Sequence, residues 1–199
     1  MTEGFTVWLT GLSGSGKSTI AARLAAELRA RGLAVVVLDG DEIRAGLSAD
    51  LGFGRDDRDT QVRRVGWICE LLARSGIVAI AALVSPYRAA RAEVRARVGR
   101  FLEVFVEAPL ATLAERDTKG LYGGAARGEV SDLTGVGDPY EPPEAPDVHC
   151  LSDGTETPEA CAKRIIAALE AAGHLARPGF AADEEAAVHA RLAELGYIE

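Results

Sequence analysis

The segment Gly11-Leu12-Ser13-Gly14-Ser15-Gly16-Lys17-Ser18 constrains this chain more than any other. It fits the pattern G-x-x-x-x-G-K-[ST]. It lies between an apolar run, Thr6 to Thr10, and a helical stripe formed by Ile20, Leu24 and Leu28. The glycines let the backbone curl round a phosphate with its N–H groups inward, and the helix that follows offers the positive end of its dipole. In that setting the Lys17 ammonium reaches the β- and γ-phosphates of ATP, and the Ser18 hydroxyl ligates Mg²⁺. The expected nucleotide-binding set is Gly11, Ser13, Gly14, Ser15, Gly16, Lys17, Ser18 and Thr19.

The rest of the chain repeats the alternation of strand and helix that such a loop needs. Ala34 to Leu38, Ile77 to Val84, Phe101 to Val106 and Val148 to Leu151 read as buried strands. Lys17 to Arg31, Thr60 to Arg74, Ala89 to Arg97, Leu110 to Arg116 and Pro158 to Ala171 read as helices. The fold class is therefore α/β: a three-layer P-loop NTPase fold with a mostly parallel sheet and helices on both faces. Residues 118–146 break the rhythm with many glycines and prolines and no sustained period. A long irregular stretch of this kind inside a compact domain reads as a functional lid or a disordered loop. The expected division is one domain over residues 1–175, with the lid at about 118–146, followed by a helical extension over 176–199 carrying Val188, Leu192 and Leu195.

Composition removes several classes of partner. The net charge of −8 disfavours nucleic acid and anionic membranes. No apolar run approaches the roughly 20 residues that span a bilayer. The start, Met1-Thr2-Glu3-Gly4, lacks a basic n-region, and Cys69, Cys150 and Cys161 are too scattered for a disulfide framework. A reducing, cytoplasmic location is expected.

The guanine-reading N-K-x-D pattern is absent, and at 199 residues the chain has no room for helicase or transporter machinery. A small-molecule kinase remains. Its second site is expected at Asp39-Gly40-Asp41, just after the second strand, where open α/β sheets bind ligands. Asp39 can help hold Mg²⁺ with Ser18, and Asp41 can accept the proton of an attacking hydroxyl. The competing reading is an acidic turn that caps a helix. Arg44, Arg58, Arg63, Arg64, Arg88, Arg116 and Lys119 fall near strand ends, helix starts or the lid. Arginine forks suit phosphate and sulfate oxygens, so an anionic acceptor is expected.

Several stretches together resemble the adenylylsulfate (APS) kinase family. They are Trp8 to Thr19, Leu38-Asp39-Gly40-Asp41 with Arg44, and Asp50-Leu51-Gly52-Phe53 with Asp57-Arg58. Ser85-Pro86-Tyr87-Arg88, Glu103 to Val106, Arg116-Asp117 with Lys119-Gly120-Leu121-Tyr122, and Pro139-Tyr140-Glu141 complete the set. The resemblance implies transfer of the ATP γ-phosphate to the 3′-hydroxyl of APS, giving PAPS and ADP. It implies Lys17, Asp41, Lys119 and Ser85 as catalytic residues. Substrate contacts would come from Asp39, Asp41, Arg44, Arg58, Gln61, Leu83, Ser85, Arg88, Lys119, Gly120, Leu121 and Leu133, and Arg116 would lie by the ATP base. It also implies a homodimer. The family describes the serine at position 85 as a phosphoserine intermediate, but in-line transfer to a bound hydroxyl needs no covalent step.

The chain departs from the family pattern in four places. Leu83 and Leu133 stand where phenylalanines, expected to sandwich the substrate adenine, are usual. Gln61 replaces an asparagine, and Gly123 and Gly124 replace lysines. Two readings stay open on the residues alone: an APS kinase, or a related kinase whose anionic acceptor differs. A non-catalytic nucleotide-binding protein is disfavoured because Lys17, Ser18, Asp39, Asp41 and Lys119 are all present.

Overall fold

A computed structural model describes residues 4–117, 119–130 and 132–176; the anticipated C-terminal helical extension lies outside them. The described residues hold five strands: β1 (Thr6–Thr10), β2 (Val35–Asp39), β3 (Val78–Ala82), β4 (Phe101–Glu107) and β5 (Val148–Leu151). All pair in parallel, in the order β2-β3-β1-β4-β5. The three central strands are buried on both faces apart from Glu103 and Glu107 of β4, which is the pattern of a sheet covered on both sides.

Alternation along β1 divides the core. Val7 and Leu9 face a layer built by α1 (Lys17–Ala30) and α7 (Pro158–Ala171), where Ile20, Leu24, Leu28, Ile165 and Leu169 are buried. Trp8 faces the opposite layer with α3 (Arg55–Arg74) and α4 (Arg88–Val98), where Val62, Val65, Cys69 and Val94 are buried. Each large apolar side chain removed from water in these layers contributes about 1.5–3 kcal/mol. The α3–α4 contact is close enough to demand glycine: a Cβ on Gly66 would sit 2.5 Å from Cγ2 of Val94.

Beyond boundary shifts of one or two residues, three elements differ from the expected ones. Helix α3 begins at Arg55 rather than Thr60, because Asp56 and Asp57 in its first turn complement the helix dipole. A short helix α2 (Gly40–Ala45) follows β2, with Asp39 as its cap. Helix α5 (Leu110–Arg116) is as expected, but the irregular segment also contains α6 (Leu121–Ala126). By contrast, α7 carries a full start signal: the Thr157 hydroxyl accepts from the amide of Ala160, and Pro158 opens the helix.

The parallel sheet brings all five carboxyl ends to one edge. Gly11 follows β1, Asp39 ends β2, Leu83 to Ser85 follow β3, Pro109 follows β4 and Ser152 follows β5. Ligand chemistry is expected at that edge.

Candidate active site

A cleft of about 1150 Å³ runs along this edge. Single small-molecule sites occupy roughly 300–1,000 Å³, so the space is sufficient for two substrates. Ser13, Gly14, Gly16, Lys17, Ser18 and Thr19 line one part of it. Gly11 lies behind the loop, where a Cβ would come within 2.3 Å of the Val106 carbonyl oxygen. Ser15 is fully buried beneath it. Helix α1 starts at Gly16 in a left-handed conformation and has no side-chain cap, so its first amides are not committed to a neighbouring side chain.

Lys17 is folded back on its own loop, with Nζ donating to the carbonyls of Gly11 (2.9 Å) and Leu12 (2.8 Å). Burial, and secondarily the positive charge of Lys119, pull its ammonium from 10.5 down to about 7. Beside it the Ser18 hydroxyl donates to Asp39 Oδ2 at 2.6 Å, while Asp39 Oδ1 accepts the amide of Asp41 at 2.9 Å. The acidic turn is therefore both a helix cap and a pair of oxygen donors beside the loop. Such hard oxygens, one hydroxyl and one carboxylate, suit Mg²⁺.

Across the cleft, Lys119 from the lid pairs with Asp41 Oδ2. The lid is moored near this point by Tyr122, whose hydroxyl donates to the Ser13 carbonyl at 2.8 Å. Asp117 holds the start of α6 by accepting the amides of Tyr122 (3.0 Å) and Gly123 (2.8 Å). Arg116 Nη1 donates to Ser152 Oγ at 2.9 Å, and both line the nucleotide-loop end of the cleft.

The remaining wall is basic and aromatic. Arg44 donates to the Gly52 carbonyl at 2.7 Å and lies 4.4 Å over the Phe53 ring. Arg58, nearly buried, donates to the carbonyls of Phe53 (2.7 Å) and Asp132 (2.6 Å) and so ties α3 to the lid. Gln61 Nε2 donates to the Gly40 carbonyl at 3.3 Å. Leu83, Leu121 and Leu133 also line the cleft, but Leu83 and Leu133 are largely taken up by core packing, Leu83 beside Trp8 and Val62, Leu133 beside Leu113 and Tyr122.

Ser85 sits in a strained backbone conformation at φ 39° and is 3% exposed. Its hydroxyl accepts from Trp8 Nε1 (3.1 Å) and donates to Thr10 Oγ1 (2.9 Å). Both functions of that hydroxyl are already committed inside the protein.

Not every expected residue reaches the cleft. Arg88 lies outside its lining, because its guanidinium donates to the Pro142 carbonyl (2.7 Å) and Glu144 (2.6 Å) and pins the proline-rich return of the lid. Arg63 is paired with Glu93, and Arg64 grips Asp50 through both of its terminal nitrogens. Gly120 is the left-handed residue that starts α6 rather than part of the lining. Phe53 and Thr134 are among the lining residues that the sequence reading does not assign to the site. Phe53 is 57% exposed, an aromatic ring presented to the cleft just before α3. Thr134 is buried, and its Oγ1 has no hydrogen-bond partner among the described residues. The isolated exposed aromatic in Leu51-Gly52-Phe53 was the signal for the first; Thr134 had none.

A family model described as adenylylsulphate kinase matches residues 3–151. An adenylyl-sulfate kinase of Chloroflexus aurantiacus is 53% identical over 168 residues, covering 84% of this chain and 90% of the relative. One from Rippkaea orientalis is 49% identical over 176 residues, covering 88% and 97%. A probable bifunctional SAT/APS kinase of Sorangium cellulosum is 53% identical over 179 residues, but the match spans only 31% of that longer protein. Among solved structures, the Mycobacterium tuberculosis APS kinase CysC in complex with AMPPNP and APS aligns with a TM-score of 0.81 at 40% identity, over 85% of this chain and 99% of that one.

Proposed function

The chain belongs to the adenylylsulfate kinase family, and on that premise we propose how its own residues carry out transfer of the ATP γ-phosphate to the 3′-hydroxyl of APS. ATP occupies the end of the cleft formed by the Gly11–Ser18 loop, with its phosphates on the loop amides and the start of α1. Lys17 leaves the Gly11 and Leu12 carbonyls to meet the β- and γ-phosphates. Arg116 and Ser152 flank the base end. Mg²⁺, held by Ser18 and with help from Asp39, would neutralise charge on the phosphates.

APS occupies the opposite part. Arg44 and Arg58 offer positive charge to its phosphosulfate, and Phe53 offers a ring to its adenine. Asp41 orients the 3′-hydroxyl and accepts its proton, while Lys119 exchanges Asp41 for the transferring phosphoryl group. Residues 118–146 act as the lid that excludes water, since hydrolysis would waste the ATP. Ser85 orients the floor of the site and forms no covalent intermediate.

The observation that carries this reading is the Lys119–Asp41 pair, a lid cation and an acceptor-side carboxylate meeting beside the nucleotide loop. A changed acceptor loses its main support, because Phe53 supplies the cleft with an aromatic surface beside Leu83 and Leu133. We include a homodimer in the proposal. Trp67 and Leu71, one turn apart on α3 and 52% and 43% exposed, are consistent with an apolar contact face, and light scattering tests it.

The test of the residue roles is Asp41→Asn. PAPS formation should fall at least a hundredfold, the common scale for a general base, with ATP affinity nearly unchanged. Loss of ATP binding would assign Asp41 to the metal instead.

A further inference from the structure

Two thiols and a carboxylate meet at the nucleotide end of the cleft, outside the residues given a part in phosphoryl transfer. Cys150 lies on β5, Cys161 near the start of α7 and Glu156 in the loop between them. One potential ligand atom from each lies within 4.8 Å of the other two. Both cysteines are buried, yet Cys161 and Glu156 line the cleft. The three groups are near enough that each contributes to the ionisation of its neighbours. The carboxylate is oriented from behind: Oε1 accepts from Arg164 Nη1 at 2.9 Å, and Oε2 accepts the amide of Leu151 at 3.1 Å.

We propose that Cys150, Cys161 and Glu156 form a site for one thiophilic divalent cation of the Zn²⁺ class, with the fourth tetrahedral position open to the cleft. Zinc bonds of about 2.3 Å to sulfur and 2.0–2.2 Å to oxygen set tetrahedral ligand atoms roughly 3.5–3.8 Å apart. The observed cluster is compatible with that spacing. Sulfur ligands select this class of ion over Mg²⁺, whose oxygen donors Ser18 and Asp39 form a separate set. Binding displaces the two thiol protons to solvent. Two thiolates and one carboxylate then balance the cation together with Arg164, which stays as the outer partner of Glu156. The bound ion clips β5 to α7 and stiffens the loop that begins at Ser152, the partner of Arg116.

Titration of the reduced full chain with Co²⁺ alone, as a spectroscopic probe, tests this. Thiolate-to-cobalt charge-transfer absorption should saturate at one equivalent and disappear on adding Zn²⁺. The Cys150→Ala/Cys161→Ala variant, which retains Cys69, should lose it. Glu156→Gln, which keeps both thiols in place, should weaken Co²⁺ binding tenfold or more and serves as the reading if the double variant does not fold. Zn²⁺ should raise the Tm of the parent chain and leave that of the double variant unmoved. The proposal is overturned by absence of thiolate–cobalt absorption in the parent, by the same absorption in the double variant, or by undiminished affinity in Glu156→Gln.

Discussion

Arg91 on α4 donates from Nη1 to the carbonyl of Ser85 at 2.6 Å, holding the strained turn that ends β3. Its Nη2 reaches the Glu141 carbonyl at 2.7 Å, and its Nε pairs with Glu103 at 2.9 Å. One buried guanidinium thus joins the floor of the acceptor site to the segment returning from the lid. Removing one member of a buried ion pair typically costs 3–5 kcal/mol. Arg91→Met should lose about that much in denaturant unfolding, and Arg91→Met with Glu103→Gln should lose less than the single change. Equal losses in the two would show that the carbonyl contacts, not the ion pair, dominate.

For Ser85→Ala, substantial turnover should remain. The variant leaves Trp8 Nε1 without its acceptor and removes one bond to Thr10, whose hydroxyl keeps Val84 and Tyr140, at about 1 kcal/mol for each hydrogen bond lost. Mass spectrometry of enzyme quenched during turnover should find no phosphate on Ser85. A phosphoserine formed and consumed at the rate of turnover would refute the direct transfer described above.

Phe53→Ala should act on one substrate only. Losing a base-stacking ring costs roughly 1–3 kcal/mol, or about 5- to 150-fold in affinity. The KM for APS should rise within that range while the KM for ATP stays put. A rise for ATP alone would move the ring to the donor side.

Lys17 makes nucleotide binding pH-dependent. Its folded value of about 7 lies below its ordinary 10.5. Between those values the unfolded chain holds more protons, so this group makes the free protein more stable as pH rises from 7 to 10.5. Polyphosphate favours the charged form and raises the value again. ATP binding at pH 8 should therefore take up protons, and affinity should fall as pH rises above about 7. Calorimetry in buffers of different ionisation enthalpy measures the uptake; proton release would reverse the argument.

Most of the architecture could be read from periodicity and punctuation. The bounds of β1, β5, α5 and α7 follow from apolar runs ended by glycine, proline or a capping threonine. Helix α2 was missed because six residues give no periodicity, and the start of α3 because its first turn is acidic rather than apolar. In the site, the nucleotide loop was legible because its chemistry is local in sequence. The acceptor side was less so. Arginine identity does not reveal that Arg63, Arg64 and Arg88 are tied to Glu93, Asp50 and Glu144. Nor does leucine identity reveal that Leu83 and Leu133 are core residues as well as cleft lining, while Phe53 presents its ring to the same cleft. Those facts depend on contacts between residues far apart in the chain.

Steady-state ADP release with APS, measured beside a panel of other nucleotide acceptors, tests the central claim most directly. The account predicts saturable turnover with APS at a micromolar KM, in the common enzyme range, with PAPS as product and far slower turnover of the panel. Turnover of another acceptor with none of APS would contradict it.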